Sequence, residues 1–186
     1  MVIGIVAGIV SFLAYPLYIV SILRKETVPH AITWMLSAIL AGISLFLYKT
    51  AGGHDTIYVL LGDFVGLTII AILAWRYGRN GYFSFANWIC IGGVFVSITV
   101  FLILGNPFVA FLFSLIAEVL ALVPTAIKTY KFPKQEGFLA WTFTCAGDCL
   151  NLLAMDWGNY TELSYVWTIF VANGIVWILI LRGRGK

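Results

Sequence analysis

Apolar residues run along this chain in seven long blocks, at about 2–23, 31–48, 56–75, 84–104, 107–127, 137–155 and 162–181, separated by short polar breaks. Each block approaches the roughly 20 residues that an α-helix needs to cross the hydrocarbon core of a bilayer. The pattern predicts an all-α membrane protein with seven spanning helices. Composition agrees: 62% of residues are hydrophobic and only 10% are charged, against about 25% charged in soluble domains. In a chain of 186 residues, seven such helices leave no room for a separate soluble domain.

Charge then orients the chain. If it crosses seven times, Arg24, Lys25, Arg76, Arg79, Lys128, Lys131, Lys134, Arg182, Arg184 and Lys186 share one side, and Lys49 stands alone on the other. Basic residues of short loops are retained in the cytoplasm. The N-terminus is therefore expected outside and the C-terminus in the cytoplasm. A miscounted helix would scramble this split. The net charge of +3 is spent at helix ends facing anionic headgroups, not on a nucleic acid. The N-terminus lacks the basic start of a cleavable signal peptide, and its apolar run continues past Tyr15-Pro16.

The first three blocks and the last three echo each other. Tyr15-Pro16 is followed by Arg24-Lys25, Pro29 and Trp34; Val123-Pro124 is followed by Lys128, Lys131, Pro133 and Trp141. Pro124 follows Pro16 by 108 positions, and Trp141 follows Trp34 by 107. The third and seventh blocks both end in short basic tails, Arg76-Tyr77-Gly78-Arg79 and Arg182-Gly183-Arg184. The expected architecture is two parallel three-helix bundles, at 1–80 and 106–186, joined by an inverting linker helix at 81–105. In transporters built from parallel repeats, the substrate site lies at the repeat interface near the midplane. Pro16 and Pro124 each free a carbonyl within a span and permit a bend, so both are candidate gating hinges; a static kink for packing is the alternative. Pro29 and Pro133 are expected to start the second and sixth helices.

This three-plus-one-plus-three plan, with a proline late in the first helix of each repeat, resembles the PQ-loop superfamily. That group includes SWEET and SemiSWEET sugar transporters, lysosomal exporters of the cystinosin type, KDEL receptors and small prokaryotic PQ-loop-like membrane proteins. Arg24-Lys25-Glu26-Thr27-Val28-Pro29-His30-Ala31-Ile32-Thr33-Trp34 resembles the first-loop signature of the prokaryotic set. Glu118, then Pro124 through Pro133, then Glu136 resembles the second. Pro16-Leu17 and Pro124-Thr125 stand where the family has its PQ dipeptide. The resemblance implies a small-solute transporter working by alternating access, in a prokaryotic cytoplasmic membrane. It also implies that Asn173 matches the asparagine with which SWEET-type proteins contact substrate.

Candidate chemistry lies in the polar residues inside the spans. Asp63, Glu118 and Asp148 fall in the third, fifth and sixth blocks. A charged side chain at a helix centre costs about 2.5–3.5 kcal/mol on insertion scales. Such acids face a cavity, pair with another group or hold a proton. Glu118, Asp148 and Asn173 each lie about eleven residues from a predicted helix end, so at about 1.5 Å rise per residue they share a depth. Asn151 lies on the same face as Asp148, one turn further along. The corresponding positions of the first repeat are Val10, Ala41, Leu67 and Ser44, so the polar half of the pocket is expected in the second bundle; Asp63 lies one turn from Leu67. Three readings stand open for the acids: proton carriers (Glu118, Asp148, Asp63), anchors for a cationic group on the substrate, or interhelical hydrogen bonds. Candidate substrate contacts are Asn173, Asn151, Asp148, Trp34 and Trp141, although tryptophan also favours the interface as an anchor.

The remaining motifs read as structural. Gly4/Gly8 and Gly62/Gly66 have the small-xxx-small spacing of close helix packing. Cys90, Cys145 and Cys149 lack metal or redox spacing and are expected to pack. Asn87 is expected to be a helix-end polar residue, and the Asn159-Tyr160-Thr161 sequon hugs a helix end. His30 and His54 lie in loops, so no haem, metal centre or other cofactor is expected. No span pairs a nucleophile with a base, and none carries a retinal lysine or the repeated polar ring of a channel. The chain is thus expected to be a carrier rather than an enzyme. It would move a sugar, amino acid or vitamin-like metabolite, with the bilayer, protons and a further copy of the chain as candidate partners. A ligand-binding receptor or sensor on the same fold is the alternative.

Overall fold

The computed structural model describes residues 2–25, 29, 31–78 and 84–184. Glu26, Thr27, Val28 and His30 of the first-loop signature lie outside the described residues, as do Arg79, Lys186 and the boundary drawn at 80/81. The described residues form helices α1 (Val2–Phe12), α2 (Ala14–Leu23), α3 (Ala31–Thr50), α4 (Ile57–Tyr77), α5 (Phe85–Leu104), α6 (Pro107–Lys131), α7 (Phe138–Ala154) and α8 (Tyr160–Arg184), with a 3-10 turn at Pro133–Gln135 before α7. Six segments are long and apolar enough to cross a bilayer, with α1 and α2 together forming the first; α7 is a shorter apolar helix. The protein is an all-α membrane protein.

Local chemistry sets the helix ends. Ser84 caps α5 by accepting a bond from the Asn87 N–H. Gly105 ends that helix in the left-handed region at φ 62°, which costs glycine nothing. Asn106 then caps α6 through the Val109 N–H, and Pro107 fills its first position. Pro133 opens the 3-10 turn rather than α7, which starts at Phe138, because Gly137 intervenes with an extended backbone.

The two intramembrane prolines behave differently. Pro16 has no N–H to offer Phe12, and its ring crowds that carbonyl. The first span breaks there: the Leu13 N–H is shared between Ile9 and Val10 at 3.2 Å each, and α2 restarts at Ala14. Pro124 sits inside an unbroken α6.

The helices pack in two parallel sets of relations. Helix α4 contacts both α1 and α3, and α8 contacts both α6 and α7. Across these groups α1 lies on α7 and α3 on α6, while α5 rests on α6 and α3. Glycines allow the closest approaches. A Cβ on Gly4 would strike the Asp55 carbonyl, and one on Gly8 would meet Tyr58 at 2.7–2.8 Å, so Gly4 seats α1 on the turn before α4 and Gly8 seats it on α4 itself. A Cβ on Gly147 would meet Ser11 at 2.6–2.9 Å, which makes Gly147 the seat of α1 on α7. Gly183 packs on Pro133 at one end of α8, while Asp156, just past α7, bonds to Glu162 in the first turn of α8. Helix α7 therefore runs antiparallel to α8 along nearly its whole length.

Large apolar side chains such as Ile72, Phe95 and Leu102 point outward, as a lipid-facing surface requires. The buried cluster built on Tyr48, Leu60, Phe111, Leu115 and Tyr165 sits toward the end that carries the 51–56 turn. At the opposite, basic end, Tyr18, Trp34 and Trp141 are only half-buried.

Candidate functional site

Asp63 on α4, Glu118 on α6 and Asp148 on α7 converge between the two helix groups. Asp63 is within electrostatic reach of both Glu118 and Asp148, and the phenol oxygens of Tyr15 and Tyr165 are within reach of all three. One carboxyl oxygen of each acid is held by a neutral donor. Tyr15 donates to Asp63 at 3.0 Å, Asn173 to Asp148 at 2.9 Å, and Ser44 to Glu118. None of the three forms an ion pair among the described residues.

Each pairing has a local cause. Tyr15 lies over Gly66, where a Cβ would collide with its ring; Gly66 thus lets the phenol lie against α4, one turn from Asp63. Asp148 follows Gly147, the tight seat against α1, and is only 2% exposed. Ser44 and Glu118 join α3 to α6, across the two groups. Ser44, on α3, thus gives Glu118 of α6 its polar partner.

Asn151, predicted to contact substrate, is 2% exposed, and its Oδ1 has no hydrogen-bond partner among the described residues. The Tyr165 hydroxyl is likewise buried and unpartnered. A buried polar atom without a partner is costly, and both lie near the acids. Asn173 is engaged by Asp148 rather than free.

The two tryptophans stand apart from this centre. Trp34 packs on Tyr18 with ring centroids 5.0 Å apart, and the Trp141 indole points at Glu136 at 3.4 Å. Glu136 also pairs with Lys128 at 2.9 Å, which ties the 3-10 turn to α6. Asn87, expected as a helix-end residue, is fully buried and accepts bonds from Thr33 and Ser84 at 2.8 and 2.9 Å, which fixes α5 to α3. Cys90 is buried as expected of a packing residue, but Cys149 is exposed, because its place on α7 faces outward. Two apolar hollows lie away from the acids, one between α3 and α5 around Gly42 and Phe101, the other between α1 and α4 around Gly8 and Tyr58.

Sequence reasoning passed over three residues of this region. Tyr15 was read only as the neighbour of a proline, and Tyr165 was not singled out. Glu162, in the first turn of α8, is a buried carboxylate at the end opposite the basic residues, 1% exposed. One signal was available: Glu162 is an acid within an apolar block. Compared with protein-family models, curated proteins and solved structures, the chain matches none.

Proposed function

We propose that this protein is a carrier that moves a small solute across a membrane by alternating access, with protons travelling on the acids inside its spans. The carrying observation is the convergence of Asp63, Glu118 and Asp148, each bonded to one neutral donor and, among the described residues, none to a cation. Unpaired ionised carboxyls are expensive in hydrocarbon; a proton, or a positive centre on the solute, removes that cost. The unpartnered Asn151 Oδ1 and Tyr165 hydroxyl offer an acceptor and a donor to a polar solute. We assign Asn173, Asn151 and Asp148 to solute contact, with Trp34 and Trp141 lining the cytoplasmic approach. Glu118, Asp148 and Asp63 are assigned to proton coupling.

The proposed frame is the three-plus-one-plus-three plan of the PQ-loop superfamily, with seven crossings. Supporting it, α4 and α8 each pack between the other two helices of their triplet, and α5 lies apart against α6 and α3. Helix α7 counts as a crossing because its ends meet the two ends of α8. By the distribution of basic residues, the N-terminus is outside and the C-terminus cytoplasmic, in a prokaryotic membrane. Pro16 and Pro124 are assigned as hinges, and the break beside Pro16 favours it as the more mobile.

Reconstitution tests this reading. Proteoliposomes would be screened against radiolabelled sugars, amino acids and vitamin-like metabolites, with and without an imposed pH gradient. Uptake that responds to the gradient is expected. Saturable binding with no flux overturns the carrier and leaves a receptor on the same frame.

A further inference from the structure

At the end opposite the basic residues, Glu162 reaches out of α8 and accepts three backbone N–H groups from two other segments. Its Oε1 takes His54 and Asp55 at 2.7 Å each, in the turn between α3 and α4. Its Oε2 takes Asp156 at 2.9 Å, in the turn between α7 and α8. Two neighbours strengthen the junction: Asn159 Nδ2 donates to the Gly52 carbonyl at 2.6 Å, and Thr161 to the Ala51 carbonyl at 2.8 Å. A carboxylate held by several N–H groups is among the stronger hydrogen-bonded arrangements, and burial strengthens it further. Among the described residues, these bonds fasten the first group of helices to the second at the end opposite the basic residues. The bonds of Glu136, and the stacking of Arg182 on Tyr130 and Arg184 on Phe138, all stay within the second triplet.

Beneath this junction lies an aromatic plug. Tyr48 of α3 meets Phe111 of α6 and Tyr165 of α8, each with centroids 5.4 Å apart, and all three rings are buried. Tyr48 is bonded to Thr56 in the turn above. Plug and junction both lie between the acids and this end of the molecule.

We propose that Glu162 is the latch of an outer gate: it clamps the 51–56 turn to the 155–161 turn above the plug of Tyr48, Phe111 and Tyr165, and must release for the central acids to face outside. The latch rests on the carrier reading for its purpose, but its geometry is independent of any solute. Glu162→Gln keeps the shape and the acceptor for His54 and Asp55, yet sets an amide donor against the Asp156 N–H. Thr161→Val removes only the bond to Ala51.

Spin labels at Lys49 and Trp157 report the outer end, and labels at Arg24 and Lys134 the basic end, in a background with Cys90, Cys145 and Cys149 changed to alanine. Pulsed dipolar distances are measured in lipid nanodiscs. Glu162→Gln is expected to add a longer-distance population at the outer pair and a shorter one at the basic pair, and Thr161→Val the same at lower amplitude. An outer pair that lengthens while the basic pair stays fixed supports the latch and sinks alternating access. An outer pair unchanged in both folded variants overturns the latch, whatever the basic pair does. If Glu162→Gln fails to fold, Thr161→Val alone decides by the same two readings.

Discussion

Glu118 bears the sharpest consequence at the scale of single residues. It joins α3 to α6 through Ser44, so it stands where any rocking of the two groups would be felt. Under the proposed coupling, Glu118→Gln leaves exchange of labelled for unlabelled solute intact but collapses pH-driven accumulation to equilibrium. Accumulation that survives the change removes the proton role. A Ser44→Ala control loses one interhelical hydrogen bond, which averages about 0.6 kcal/mol in membrane proteins, and keeps accumulation. Asp63, Glu118 and Asp148 were legible in the sequence because acids in apolar blocks are rare. Their partners Tyr15 and Ser44 were not, since tyrosine and serine are unremarkable inside a span until a neighbouring helix brings an acid to them.

Helices meet where glycine lets them. Gly147 seats α7 against Ser11 of α1 with backbone atoms in the way of any side chain. Gly147→Ala therefore has to push α1 and α7 apart or tilt one of them. Such overpacking costs about 1–3 kcal/mol, and a drop in thermal midpoint of the detergent-solubilised protein is the expected readout. An unchanged midpoint would mean the two helices already separate freely. Asp148 adjoins this seat, so the same variant is also expected to weaken solute binding. The element ends followed the sequence closely; they rest on local capping by Ser84, Gly105 and Asn106, which act within a few residues. The exception is the start of α7, where Pro133 was read as a helix opener and instead leads a 3-10 turn. The contrast between Pro16 and Pro124 was also hidden. The same ring chemistry breaks one helix and leaves the other continuous, because neighbouring helices decide whether the freed carbonyl region relaxes.

For the molecule as a whole, the proposed orientation follows from the basic residues. Cysteines introduced at Gly158 and Lys134, one at a time, are expected to differ: a membrane-impermeant thiol reagent labels the first in intact cells and the second only after permeabilisation. The reverse pattern would invert the carrier and turn the proposed outer latch into a cytoplasmic one. The fastened end and its aromatic plug, set against half-buried Trp34 and Trp141 at the other end, describe a molecule closed at the end of the 51–56 turn and looser at the basic end. That asymmetry is invisible in the sequence, where the first three and last three apolar blocks carry similar motifs.

By itself the sequence determined that the chain is helical and membrane-bound, broadly where its helices lie and that Asp63, Glu118 and Asp148 stand inside apolar blocks. Each of these depends on hydropathy and charge summed along a local stretch, and bilayer thickness converts such a sum directly into a helix. Only the tertiary structure decided which groups meet: Tyr15 with Asp63, Ser44 with Glu118, Asn173 with Asp148, and Glu162 with the turn between α3 and α4. Those meetings depend on glycine seats and helix crossings between residues from 25 to more than 100 positions apart, and no local pattern encodes so distant a partner.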